Sequence, residues 1–402
     1  MAVQSELETL NRDSKDWNWS WWFTVPLYPY NKRRTLRAEV VRDTIWTFDQ
    51  VQGIFYVATP IRMTAVKLDE GGLLIYAPVA PTPECIRLVN ELVAEHGDVK
   101  YIILPTISGL EHKVFVGPFA RFFPNAQVFV APNQWSFPVN LPLSWLGFPA
   151  KRTHILSDDG SETPFGDQFE YAILGPVAQG IGSFGEVALF HKRSHTLLVT
   201  DSVLSVSEAP PAIVQLDPFP LLYHAREHAS DAIQDTPELR RKGWQRISLF
   251  AFYFVPSTLD TPDLLPSIWD ARTASDHSKK NYFGWFPFRW KDDWQRSFDA
   301  LRGDGRLFVA PILQRLILNR VPKETLAWAD RVASWNFERV IPCHFSSPVQ
   351  ATPQQFRQAF AFLERQPSSQ QAILPEEDFG LLREVEASLI KRGITPPAKE
   401  KV

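Results

Sequence analysis

Three short apolar segments each run into a side chain able to hold a metal ion. Tyr101-Ile102-Ile103-Leu104 stops at Pro105 and leads to a loop with Glu111 and His112. Thr196-Leu197-Leu198-Val199-Thr200 stops at Asp201, and Arg339-Val340-Ile341 is followed by His344. Apolar runs this short fit buried strands rather than helices. In α/β proteins the loops at strand ends gather side chains into one cleft. Imidazoles and carboxylates are ligands of zinc, iron and manganese. A lone Asp at a strand end is more often a cap, and a lone His a core residue. The four residues are informative through their order.

The rest of the chain frames these segments with alternating α and β elements. Ile61–Leu68 alternates, Asp69-Glu70-Gly71-Gly72 supplies a turn, and Leu73–Tyr76 returns, so 54–77 reads as a strand hairpin. Pro83 and Glu84 open an amphipathic helix with Ile86, Val89, Leu92 and Val93 on one face. A short helix near 117–123 and a strand at Gln127–Val130 follow. Glu186–His191 and Thr196–Thr200 read as a hairpin. Helices are predicted near 236–250, over 322–336 and near 353–364. Three units result: an aromatic N-terminal arm at 1–40, a domain at 41–372 with an insertion at about 205–300, and a C-terminal helix and tail at 373–402.

Composition narrows the class. With 402 residues, 45% hydrophobic and 22% charged, the chain can bury a large core. A net charge of −3 gives no sign of nucleic-acid binding. Two cysteines, Cys85 and Cys343, make no disulfide framework, which fits a reducing compartment. No apolar run is long enough to span a bilayer, and no secretory leader is evident. A cytoplasmic protein is expected. The arm keeps a second reading open, because Trp17, Trp19, Trp21, Trp22 and Phe23 precede the basic run Lys32-Arg33-Arg34. Such a stretch either packs on its own domain, the reading given more weight, or makes peripheral contact with a membrane.

The order of ligand residues resembles the metallo-β-lactamase superfamily over about residues 54–365. More closely, the chain is similar to an uncharacterised divergent branch of it, known mainly from photosynthetic organisms. The similar stretches are Leu104-Pro105 to His112-Lys113, Arg241-Lys242-Gly243-Trp244, and Arg339-Val340-Ile341-Pro342-Cys343-His344-Phe345. The resemblance implies an α/β fold, a metallo-β-lactamase-type αββα sandwich, here with an inserted aromatic-rich cap region. It also implies a two-metal site, which this chain departs from. Against the motif His-x-His-x-Asp-His, it reads Ile107-Ser108-Gly109-Leu110-Glu111-His112. Ile107 and Gly109 carry no ligand atoms, and the histidine expected between 174 and 186 is missing. The three-histidine half-site is gone. Glu111, His112, Asp201 and His344 match the other half, enough for one divalent ion: zinc, iron or manganese.

Two classes of function follow. One is a metal-dependent hydrolase with a degenerate, single-metal site, in which Glu111 or Asp201 orients a water molecule and the substrate is an unknown small molecule. The other is a non-catalytic binding or assembly protein on this scaffold, with a protein partner or a membrane surface. A redox role for bound iron ranks third. Trp285, Phe286, Phe288, Trp290 and Trp294, interleaved with Arg289 and Lys291, are expected to stay partly exposed near the cleft mouth. His224 and His228, with Glu227 between them, read as one face of a solvated helix. His191 and His195 read as exposed around a turn.

Overall fold

A computed structural model describes residues 15–108, 110–136, 140–158, 162–178, 182–262, 269–365 and 374–402. Gly109, residues 1–14 of the arm, and 179–181 of the stretch without histidine lie outside the described residues.

Seven strands form one sheet in chain order: β1 (Leu36–Val41), β2 (Ile45–Ile54), β3 (Val57–Lys67), β4 (Leu73–Tyr76), β5 (Val99–Leu104), β6 (Gln127–Val130) and β7 (Thr153–Ile155). The first four pair antiparallel and the rest parallel. The second sheet contains β8 (Phe169–Ala178), β9 (Ser183–His191) and β10 (Thr196–Val199). A separate two-stranded ribbon, β11 (Leu259–Asp260) with β12 (Arg289–Trp290), follows in the chain. Then β13 (Arg339–Pro342) and β14 (Val349–Gln350) complete the second sheet in the order β14-β13-β10-β9-β8.

Side-chain alternation explains why the sheets stack. On β5, Ile102 and Leu104 join a core shared with the flanking helices, and Ile103 joins the core between the sheets. On β10, Leu197 and Val199 turn to the outer core and Leu198 to the inner one. Both strands are therefore apolar on both faces, and each sheet must be covered by helices. Helix α1 (Pro83–His96) begins with Thr82 accepting the Cys85 amide proton and with Pro83 at its first position. Its Ile86, Val89 and Leu92 pack on the first sheet beside Phe115 and Phe119 of α2 (Leu110–Ala120). The result is the αββα sandwich of metallo-β-lactamase type.

The insertion contributes α3 (Phe219–Ala225), α4 (Pro237–Tyr253) and α5 (Trp294–Arg302). With α6 (Pro322–Ala333), they cover the outer face of the second sheet, where Trp244, Ile247 and Trp328 share a core with Leu197 and Val199. The stretch Arg241-Lys242-Gly243-Trp244 is explained by this packing. A Cβ on Gly243 would lie 1.8 Å from the Leu221 carbonyl oxygen, so only glycine lets α4 press onto α3. Trp244 is fully buried and donates from Nε1 to the Ser207 carbonyl at 2.9 Å.

Several expectations are corrected. Strands β1 and most of β2 replace the expected end of the arm and the stretch before the hairpin. Glu111 and His112 ride on the first turn of α2 rather than on a loop. Phe286, Phe288, Trp290 and Trp294 are buried in the outer core and Trp285 is half-buried beside Phe55, so the ring cluster at 285–294 is mostly packing and not an exposed rim of the Glu111–His344 cleft. Conversely, Trp19 is buried while Trp21, Trp22 and Phe23 are exposed. His224 is buried at the end of α3 and donates from Nε2 to the Phe55 carbonyl at 3.0 Å, while His228 lies beyond the helix. His191 is buried too, with Nδ1 2.8 Å from the Ser194 hydroxyl.

Candidate active site

Three of the four ligand-type residues meet at one end of the sandwich. His344 Nε2 lies 3.1 Å from Glu111 Oε2 and 3.5 Å from Asp201 Oδ1. The His112 ring stands next to that of His344, with centroids 6.1 Å apart. These residues come from α2, the end of β10 and the end of β13, which belong to opposite layers.

Each imidazole is aimed by the backbone. His344 Nδ1 is 2.9 Å from the Pro60 carbonyl oxygen, and His112 Nδ1 is 3.1 Å from that of Pro78. A carbonyl only accepts, so Nδ1 carries the proton in both rings, and Nε2 is turned the other way. In His112 that Nε2 is buried and has no hydrogen-bond partner among the described residues. His96, His191 and His224 also have a buried ring nitrogen without a hydrogen bond among the described residues, so it is the place of His112 beside His344 that marks the site.

Asp201 is held by a residue the sequence reading did not single out. Glu186, fully buried on β9, accepts from the amides of Thr200, Asp201 and Ser202 at 3.0, 2.7 and 2.8 Å. It also accepts from the hydroxyls of Thr200 and Ser202 at 2.6 and 2.7 Å. Arg62 does the same for His344 from the other sheet. It donates to the Pro342 and Phe345 carbonyls at 2.7 and 3.1 Å and is paired with Asp49. The Gln52 side chain favours the ionised form of Glu111, and the buried Arg33 contributes a positive charge toward it. A charged residue placed inside an apolar strand pattern, Arg62 in Ile61-Arg62-Met63 or Glu186 ahead of Val187-Ala188-Leu189, was the available signal.

The electrostatics follow from burial and pairing. Glu111 and Asp201 expose 39% and 38% of their side chains although protein surrounds them, so they form the floor of a cleft. Burial works against the Glu111 carboxylate, but the hydrogen bond and charge of His344 outweigh it and hold the group at about 2. Burial also opposes the His344 imidazolium, and the two carboxylates override it, raising the group to about 9. Asp201 is pushed up to about 7, chiefly by burial and then by Glu111 and Glu186. His112 is lowered to about 4, by burial first and the His344 charge second. Among the described residues, no three or more His, Cys, Asp or Glu side chains are drawn into a metal-coordinating set as they stand. The cluster is a hydrogen-bonded ion pair of His344 and Glu111, with Asp201 and the His112 ring beside it.

Fold and cleft together define a metallo-β-lactamase-type sandwich whose cleft gathers two histidines and two carboxylates. The chain belongs to the family described as Domain of unknown function (DUF4336), whose model matches residues 42–362. No curated protein sequence matches it. Solved structures similar to it include the Flv1 flavodiiron core from Synechocystis sp. PCC6803. That match has 11% identity and a TM-score of 0.39, over 82% of this chain and 60% of that one. A flavo di-iron protein variant from Thermotoga maritima matches at 10% identity and a TM-score of 0.39, over 82% and 62%. A metallo-β-lactamase from Pontibacter korlensis matches at 11% identity and a TM-score of 0.30, over 53% and 83%. The chain thus spans about three fifths of the flavodiiron structures it matches.

Proposed function

We propose that the cleft holds a single divalent ion, zinc, iron or manganese, on His112, His344, Glu111 and Asp201, and that the protein is a metal-dependent hydrolase. The observation that carries this reading is the convergence of His112, His344, Glu111 and Asp201 from opposite layers, with a backbone carbonyl on each Nδ1 that turns both Nε2 atoms away from the backbone. Backbone acceptors on Nδ1 are the usual support of a ligating histidine. Two imidazoles and two carboxylates suit these ions. A bound ion would supply Lewis acidity toward a carbonyl or phosphoryl oxygen and toward water.

The chain's own residues would do the rest. Asp201, whose side chain is partly exposed in the cleft, would orient the attacking water with whichever carboxylate oxygen it does not commit to the ion. Glu111 stays ionised and would balance the charge of the bound ion, which would take the place of the proton on His344 Nε2. Glu186 keeps the Asp201 turn fixed. With Ile107 in place of a ligand, clamping by two metals is not expected.

One observation favours a second reading, a non-catalytic binding or assembly protein: His344 already satisfies Glu111 and Asp201 without an ion. Assays with thioester, lactam and phosphodiester substrates, run with and without added zinc, iron or manganese, separate the two. The hydrolase reading expects metal-dependent turnover that Asp201→Asn abolishes. Absence of turnover with every pairing, in protein shown to carry the ion, leaves the second reading.

A further inference from the structure

We propose that the end of the molecule formed by the arm, the β2–β3 turn and the 279–284 turn is a docking surface for an anionic lipid membrane. The exposed rings there come from three separate segments. Trp21, Trp22, Phe23 and Tyr30 lie on the arm, Ile54 and Phe55 at the tip of the β2–β3 hairpin, and Phe283 on the insertion. Phe283 is 67%, Ile54 62% and Phe23 60% exposed, values far from those of core residues.

The segments form one patch. Trp22 touches Tyr30 at 6.3 Å between centroids, Tyr30 touches Tyr28 at 6.4 Å, and Tyr28 touches Tyr56 at 5.3 Å. Tyr56 then meets Tyr282 at 5.1 Å, and Tyr282 meets Phe55 at 5.5 Å. The backbone is shaped to present these rings. Tyr30, Phe55, Tyr56, Tyr282 and Phe283 all have φ between 49° and 58°, a region bulky residues avoid. Glycine or asparagine would suit these turns better. Unfavourable backbone of this kind persists where the side chain is needed at that place.

The patch is also rigid from below. Tyr28 donates to Asp217 at 2.6 Å, Tyr56 to the Lys280 carbonyl at 2.7 Å, and Tyr223 to the Trp285 carbonyl at 2.6 Å. His224 holds the Phe55 carbonyl. These are fastened loops, not frayed ones.

Four features point to lipid. The exposed groups come from a short 3-10 helix on the arm and from two turns, separate segments that can each insert into a deformable bilayer. Trp and Tyr are the residues that favour the headgroup level. An apolar cleft lined by Phe55, Phe250, Val255, Trp285, Pro287 and Phe288 opens within the patch and can take part of an acyl chain. The rim supplies charge complementarity. Lys279 and Lys280 are exposed beside Tyr282 and Phe283, and Lys32 is exposed beside Tyr30. Asp217 and Asp276 accept from Tyr28 and Ser278 and stay charged, so three lysines stand against two carboxylates on this rim. No helix among the described residues is long and apolar enough to cross a membrane, so the contact lies in the plane of the surface.

The test is co-sedimentation of the full chain with phosphatidylcholine vesicles, with and without phosphatidylglycerol, read beside tryptophan fluorescence. The protein is expected to sediment with anionic vesicles and to shift its emission to the blue. The triple variant Phe23→Ser, Phe55→Asn, Phe283→Asn should bind at least about tenfold more weakly, since affinity scales with inserted apolar area. Asparagine tolerates the left-handed turns, so its melting temperature should be unchanged. Lys279→Gln with Lys280→Gln should weaken binding to anionic vesicles only. Wild-type protein that stays in the supernatant, or a triple variant that binds like wild type, overturns the proposal. So does concentration-dependent dimerisation, lost in the triple variant and without vesicle binding, which would assign the patch to a second copy of the chain.

Discussion

His344 donates its Nδ1 proton to the carbonyl of Pro60 across the sandwich, at 2.9 Å. A residue that follows β13 in one sheet is thus aimed by β3 of the other, and Ile61 pairs with His344 as an isolated bridge. Arg62, the next residue on β3, grips the same turn through the Pro342 and Phe345 carbonyls. The Arg62→Lys variant keeps a charge for Asp49 but not the planar set of donors that spans both carbonyls. It should lose about 2–4 kcal/mol of stability, as expected when buried charge-assisted bonds go unmade. Metal affinity should fall about 10–100-fold, the usual cost of removing support behind a ligand. Denaturant unfolding and metal titration of the same preparation check both.

Glu186 holds Asp201 in the same manner. In Glu186→Gln one acceptor oxygen becomes an NH2 group facing backbone amides, so two or more of the five bonds are lost. A loss of about 2–4 kcal/mol is expected. Glu186→Asp, too short to reach all five donors, should fall between. Urea unfolding of the three proteins gives the order. Equal midpoints would mean that the turn at 200–202 is held by other contacts.

How much of this was legible in the sequence depends on what burial does to pattern. Ile102-Ile103-Leu104 and Leu197-Leu198-Val199 are apolar on both faces because each lies between layers, and their continuous runs gave the strands and the residues after them. Leu36–Val41 and Ile45–Ile54 mix charged and polar residues with apolar ones, Glu39, Asp49, Gln50 and Gln52 among them, so no clean period marked them. Gln50 and Gln52 are nonetheless buried, with Gln50 bonded to Thr35 and Ala80. Propensity alone does not reveal such tertiary pairings. The rings at 285–294 looked like an interface rim because their charged neighbours alternate with them. In the fold, the alternation sends Phe286, Phe288 and Trp290 inward and leaves Arg289 and Lys291 to solvent.

Acid should weaken the join between α3 and the β2–β3 turn. His224 is lowered to about 3, by burial first, against a Phe55 bond that favours the proton, and further by Arg226 and Arg246. The unfolded chain takes up a proton below the ordinary value of about 6.5, while the native state does not. The neutral imidazole's contribution is therefore full above about pH 6.5 and declines as pH falls toward the native value, by up to about 1.4 kcal/mol per pH unit. His224→Gln keeps an N–H group for the Phe55 carbonyl and cannot titrate. Between about pH 7.5 and about pH 5, its urea midpoint should fall less steeply than that of wild type. Parallel slopes would remove His224 from the acid response.

The most direct measurement of the central claim is metal content. Protein purified without chelator and then loaded with zinc, iron or manganese should carry close to one ion per chain, read by inductively coupled plasma mass spectrometry. His112→Ala and His344→Ala should each reduce that to background while circular dichroism shows the fold retained. A wild-type chain that stays metal-free after loading, or one that takes two ions at this cleft, would contradict the single-metal account.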